Sequence, residues 1–183
     1  EFKHLLVGQF NLRSELEALI DFEIKEAKAG RKSGMILKMN SLQDKQMIKK
    51  IYDAGRAGVE IDMIIRGICC LLPGVKGVSE NISAVSIVDR FLEHARVFVF
   101  HHAGKDLIYL SSADFMTRNL SFRIETTFPI YDEVARERIL TILDLQLNDN
   151  TKARLLSDQQ ANRFKRGGSI RRQRQEEASL YLL

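Results

Sequence analysis

Residues 90–100 read RFLEHARVFVF, and within them His94 and Arg96 stand two apart where a charged turn enters an apolar run. In a strand, residues i and i+2 point to the same side. The spacing therefore sets an imidazole beside a guanidinium at the mouth of a buried strand. A guanidinium is a permanently charged planar fork that suits phosphate. An imidazole can pass a proton or a phosphoryl group near neutral pH. Together they make a unit for phosphate chemistry; the plainer alternative is a structural histidine beside a surface charge. A second guanidinium, Arg66, closes the run DMIIRG. Ligands of open α/β sheets collect at the carboxyl ends of strands, so Arg66 is a further phosphate candidate, weighed against a surface salt bridge.

Other sites fall away on spacing. No GxxxxGK[ST] loop occurs, and no GxGxxG follows the first strand. The stretch AGRKSG (29–34) reads as a turn. His101 and His102 lack partners at metal-ligand spacing and read as a solvated hairpin end. Asp106 and Asp114 flank a strand with no second carboxylate near in sequence, so no acid pair is assigned. Gly74, Lys76 and Gly77 could bring backbone amides to a phosphate, or could simply form a connector.

The elements that must position these side chains follow from periodicity. HLLVGQ (4–9), MILKMN (35–40), EIDMIIRG (60–67), RVFVFHH (96–102), DLIYLSS (106–112) and RIETTFPIY (123–131) read as strands. The pair 96–102 and 106–112 forms a hairpin across Ala103-Gly104-Lys105. Helices are expected after Asn11 or Ser14, with Ser14 to Glu17 as a capping box, over Leu42 to Ala57, and over 132–149. Residues 69–81 read as loop, 82–93 as a short helix, and Ile170 to Tyr181 as a last helix. Strands alternating with helices predict an α/β fold, a mixed sheet flanked by helices on both faces.

The 183 residues suffice for one domain with a sizeable core. No apolar run approaches the ~20 residues of a membrane span, and no signal peptide is evident at the N-terminus. The adjacent Cys69 and Cys70 point to a reducing, cytoplasmic setting. The net charge of +4 is unevenly spread: residues 152 to 174 carry eight Lys or Arg and one acid, Asp158, so that window is +7 and the remainder −3. The expected division is a lobe over 1–150 and a basic C-terminal extension over 151–183.

Three stretches carry a resemblance. LLVGQFNLR, IDMIIRGICCLLPGVKGVSENISAVSIVDRFLEHARVFVF and YLSSADFMTRNLSFRIETTFPI all resemble the C-terminal region of bacterial polyphosphate kinase, and the likeness runs over almost the whole chain. It implies one of two related phospholipase D-like lobes of a four-domain enzyme. It implies reversible transfer of the terminal phosphate of ATP to inorganic polyphosphate through a phosphohistidine on the sister lobe. In that scheme His94 is the second essential histidine and Arg66 binds the nucleotide's phosphates. Arg96, Arg118 and Arg123 are weighed as further phosphate contacts against plain surface charge. ATP or ADP is the nucleotide substrate; magnesium and the adenine are bound by upstream domains. Upstream domains of the same enzyme and further subunits are the implied partners, with no nucleic acid, in the cytoplasm, with membrane association left open.

One departure stands out. The wider phospholipase D pattern, HxKxxxxD followed by Gly-Ser-x-Asn, here has Arg96 at the lysine position, His101 at the acid position, and Ser111-Ser112-Ala113-Asp114 at the turn. Arginine keeps the charge and the fork, whereas the lost acid removes one orienting group and argues against phosphodiester hydrolysis. The rival classes are a phospholipase D-like phosphodiesterase or nuclease, and a non-catalytic polyanion-binding module built on the basic tail.

Overall fold

A computed structural model describes residues 2–167. The chain runs β1 (Leu6–Val7), α1 (Leu12–Lys28), β2 (Gly34–Met39), α2 (Lys45–Arg56), β3 (Glu60–Ile65), β4 (Ile82–Ser86), β5 (Arg96–Phe100), β6 (Leu107–Ser111), α3 (Thr117–Ser121), β7 (Thr126–Pro129), α4 (Glu133–Leu147) and β8 (Arg154–Leu155). The strands form one mixed sheet in the order β1-β7-β6-β5-β2-β3-β4-β8. β2, β3 and β4 are parallel, and the strands outside them pair antiparallel.

Alternation along the strands builds a core on each face. Leu37, Met39, Met63, Ile65, Phe98 and Phe100 pack with Leu12, Leu16 and Ile20 of α1 and with Met47 and Ile51 of α2. Ile64, Val85, Val97 and Val99 point the other way and pack with Leu143 of α4. Central strands buried on both sides must be apolar at nearly every position, which is why MIL and VFVF read as unbroken runs.

The expected α/β architecture is found, with local corrections. Residues 82–86 form a strand, not a helix. Ile82, Ala84 and Val85 are buried, and the segment takes the open edge of β3 in parallel register. The capping box at Ser14 is absent because α1 begins earlier, at Leu12. The Ser14 hydroxyl donates to the Asn11 carbonyl, and the Asn11 side chain accepts from Val7 N–H instead of capping. α2 begins at Lys45 because Leu42 is buried and bridged to Cys69 and Phe115, leaving Asp44 to cap Met47 N–H. The strand expected over 123–131 is trimmed to Thr126–Pro129, and that over 4–9 to Leu6–Val7. The hairpin is present, turning through a 3-10 segment whose Ala103 and Gly104 lie at φ 56° and 87°. Arg154 and Leu155, from the basic tail, add β8 to β4. The helix expected over Ile170 to Tyr181 lies outside the described residues.

Asp44 joins three elements. It receives both terminal nitrogens of Arg13 at 2.9 Å, the Met47 amide at 3.0 Å and the Thr117 hydroxyl at 3.1 Å. Burial pushes its carboxyl pKa up, but the Arg13 fork and the other donors outweigh this and hold it below the usual carboxylate range. A depressed carboxylate contributes stability above its unfolded pKa and loses it as pH falls through the folded value. Asp44→Ala should therefore cost about 3 kcal/mol at neutral pH, and the gap to the parent should narrow below about pH 4. Urea melts at the two pH values check this; a gap that does not change with pH would mean the carboxylate charge is irrelevant.

Candidate active site

The carboxyl ends of β2 and β3, the start of β5 and the end of β6 lie along one rim of the sheet. Asn40 follows β2, Arg66 follows β3, Arg96 opens β5, and Asp114 stands in the turn after β6. These four residues are wired together. Arg96 Nε and Nη2 donate to the two Asp114 oxygens at 3.2 and 3.1 Å. Asp114 Oδ1 also accepts the backbone amides of Asn40 at 2.8 Å and Ser41 at 3.2 Å. The third arm of Arg96, Nη1, donates to the His94 carbonyl at 3.0 Å and lies 3.2 and 3.3 Å from the two nitrogens of the His94 ring.

Arg66 enters through Asn40. Its Nε donates to Asn40 Oδ1 at 2.8 Å. Asn40 Nδ2 makes longer contacts of 3.4 and 3.5 Å to the His94 carbonyl and Asp114 Oδ1. The close approach of the chain at Gly67, whose amide donates to the Asn40 carbonyl at 2.7 Å, fixes where Arg66 leaves the sheet. A Cβ at Gly67 would stand 3.0 Å from that carbonyl oxygen. With Nε engaged, both terminal nitrogens of Arg66 remain at the end of the fork.

Three of the residues singled out in the sequence, His94, Arg96 and Arg66, thus meet in one network. His94 is exposed, and Arg96 and Arg66 are half-buried. Arg118 and Arg123 do not join it: both are exposed, and neither side chain makes a hydrogen bond or ion pair among the described residues. The amides of Gly74 and Gly77 are occupied by the Ser79 carbonyl and the Glu80 carboxylate.

The sequence reading passed over Asp114 and Asn40. Asp114 looked isolated because its partners lie 18 and 74 positions away. The visible signal was its place at the last position of the Ser-Ser-Ala-Asp turn. The absent acid at position 101 also weighs less than expected. Residue 101 sits beyond the far end of β5, and the carboxylate that orients Arg96 comes from Asp114. Burial pushes the Asp114 carboxyl pKa up, yet Arg96 and the Asn40 and Ser41 amides bring it below the ordinary value.

The mixed sheet has a phospholipase D-like fold. A phospholipase D family member, Nuc, from Salmonella typhimurium shares the fold with a TM-score of 0.60, at 14% identity over 84% of this chain and 98% of that one. The family model described as polyphosphate kinase C-terminal domain 2 matches residues 5–177, so the chain belongs to that family. The polyphosphate kinase of Vibrio cholerae is 48% identical over 96% of this chain and 25% of its own length. The crystal structure of polyphosphate kinase from Porphyromonas gingivalis matches with a TM-score of 0.95 and 43% identity, over 100% of this chain and 28% of that one. The chain thus spans about a quarter of the length of these relatives.

The network makes Asp114 structural as well as chemical. Asp114→Asn keeps the size but sets an N–H against a cluster of donors. It should cost about 3 kcal/mol of stability and release Arg96, visible as a lowered thermal midpoint at neutral pH. A midpoint equal to the parent's would show that Arg96 is held by other means.

Proposed function

We propose that this chain is the C-terminal lobe of an ATP:polyphosphate phosphotransferase and supplies half of the walls around the transferring phosphate. The observation that carries the reading is that Arg66 and His94 are tied to the same Asn40 at the carboxyl ends of parallel strands. Such a rim is where an α/β sheet takes a ligand.

Phosphoryl transfer asks the protein mainly for positioning and for charge on the non-bridging oxygens. Arg66 takes ATP phosphates on its two terminal nitrogens while Asn40 holds its Nε. Arg96 has its fork filled by Asp114 and serves to keep His94 in place. The exposed His94 ring hydrogen-bonds the phosphoryl oxygens or gives a proton to the bridging oxygen as the bond to ADP breaks. The resemblance assigns the histidine that accepts the phosphoryl group to the sister lobe. Arg118 and Arg123, exposed and without side-chain partners among the described residues, are open to a longer polyphosphate chain.

Magnesium, which the family implies, does not fit the residues gathered here. Asp114 is committed to Arg96, Glu93 to Lys38 and Gln146, and no group of three metal-ligating side chains occurs among the described residues. We assign the metal to another part of the enzyme. No helix among the described residues is long and apolar enough to cross a membrane.

Two substitutions in the complete enzyme test the assignment. Arg66→Ala should lower kcat/KM for ATP about ten- to a hundredfold, the worth of a charge-assisted phosphate contact, with little change in the melt. Unchanged efficiency would leave Arg66 as surface charge. His94→Gln keeps size and one hydrogen bond but cannot move a proton. It should cost about a hundredfold or more in turnover while the protein melts normally. Parental turnover would remove His94 from the chemistry.

A further inference from the structure

His94 lies in residues 87–95, a stretch with neither helix nor strand. Its neighbours give it little apolar anchorage: Leu92 is 70% exposed and Phe91 44%. Yet the next side chain, Glu93, turns inward. Its Oε2 accepts Lys38 Nζ at 2.7 Å and Gln146 Nε2 at 2.8 Å. Lys38 comes from the carboxyl end of β2 and Gln146 from the last turn of α4, and both are buried.

This cluster is poorly explained by packing alone. A buried ion pair recovers little more than its own desolvation, and apolar residues of the same volume often serve stability as well or better. Burial lowers the Lys38 pKa, an effect that Glu93 offsets only in part. What a buried, hydrogen-bonded charge does supply is direction. Gln146 fits this role: its Oε1 is buried with no hydrogen-bond partner among the described residues, and its amide is oriented through the bond its Nε2 makes to Glu93.

We propose that Lys38, Glu93 and Gln146 form a latch whose function is to position His94. The His94 amide donates to the Leu92 carbonyl at 3.1 Å, so the chain turns tightly at Glu93 and the Glu93 and His94 side chains leave it in different directions. Pinning Glu93 into the sheet therefore turns His94 outward to the rim. The His94 carbonyl is fixed in turn by Arg96 Nη1 at 3.0 Å and by Asn40. Lys38 stands near the end of β2 and Asn40 directly after it, so the end of one strand sets Glu93 and, through Asn40, Arg66. The three latch residues are positioning residues; none of them is assigned a contact with phosphate. The inference rests on the proposed role of His94.

The test uses the complete enzyme. Lys38→Met/Glu93→Leu replaces the latch with an apolar pair that fills the space without direction. The expected result is a folded protein with a modestly lowered thermal midpoint, since the buried Gln146 amide loses its acceptor, a KM for ATP within about twofold of the parent, and a kcat reduced about tenfold or more by misplacement of the imidazole. In a His94→Gln background the same double change should cost almost no further turnover, because there is no imidazole left to position. Should the double variant fail to fold, Gln146→Leu, which removes one donor and leaves the ion pair, is read by the same two comparisons. Parental kcat in a folded latch variant overturns the latch. A loss that multiplies fully with that of His94→Gln overturns it too, since it marks a general structural effect. If His94→Gln alone is harmless, the proposed role of His94 fails, which is a distinct outcome.

Discussion

The carboxylate of Asp114 is the constraint on which the site depends. One group accepts two nitrogens of Arg96 and two backbone amides from the end of β2. It thereby joins three strands at their functional ends. Burying a carboxylate is costly unless its oxygens are satisfied, and here four donors converge on it. The guanidinium pays for the burial of the acid, and the acid aims the guanidinium. With two nitrogens of Arg96 committed, the third is directed at His94. The same turn carries Phe115, whose carbonyl accepts the Gln43 and Asp44 amides at 2.8 Å, so the approach to α2 is set by the same few residues.

At the rim the buried Asp114 backs Arg96, Glu93 is paired with the still more deeply buried Lys38, and His94 is exposed. The fold shared with the Nuc structure supplies the sheet and the rim. A shared fold does not by itself fix a shared chemistry, which depends on the particular side chains set on it.

Much of this was legible in the sequence, for local reasons. Buried central strands announce themselves as apolar runs, and Arg66 and Arg96 were visible as charges at the ends of such runs. The segment 82–86 was misread because ISAVS is short and its one strong partner, β3, is reached only through a loop. Asp114 and Asn40 were missed because their role exists only across long separations in sequence. Lys38 did leave a trace, as the lone charge inside MILKMN, and Glu93 as the acid directly before His94. Neither indicates its partner until α4 brings Gln146 across the sheet. The charge of the tail was plain from composition, but its edge strand was not, since two residues carry no period.

The central claim is that Arg66 and His94 converge on one phosphate chain. The most direct measurement is a crystal structure of the complete enzyme with a non-hydrolysable ATP analogue bound. The account predicts analogue phosphates within hydrogen-bonding reach of the terminal nitrogens of Arg66 and of the His94 imidazole, with the Asp114–Arg96 pair and the Asn40 bridge intact. Phosphates seated away from this rim, or a bound state in which Asp114 releases Arg96, would contradict it.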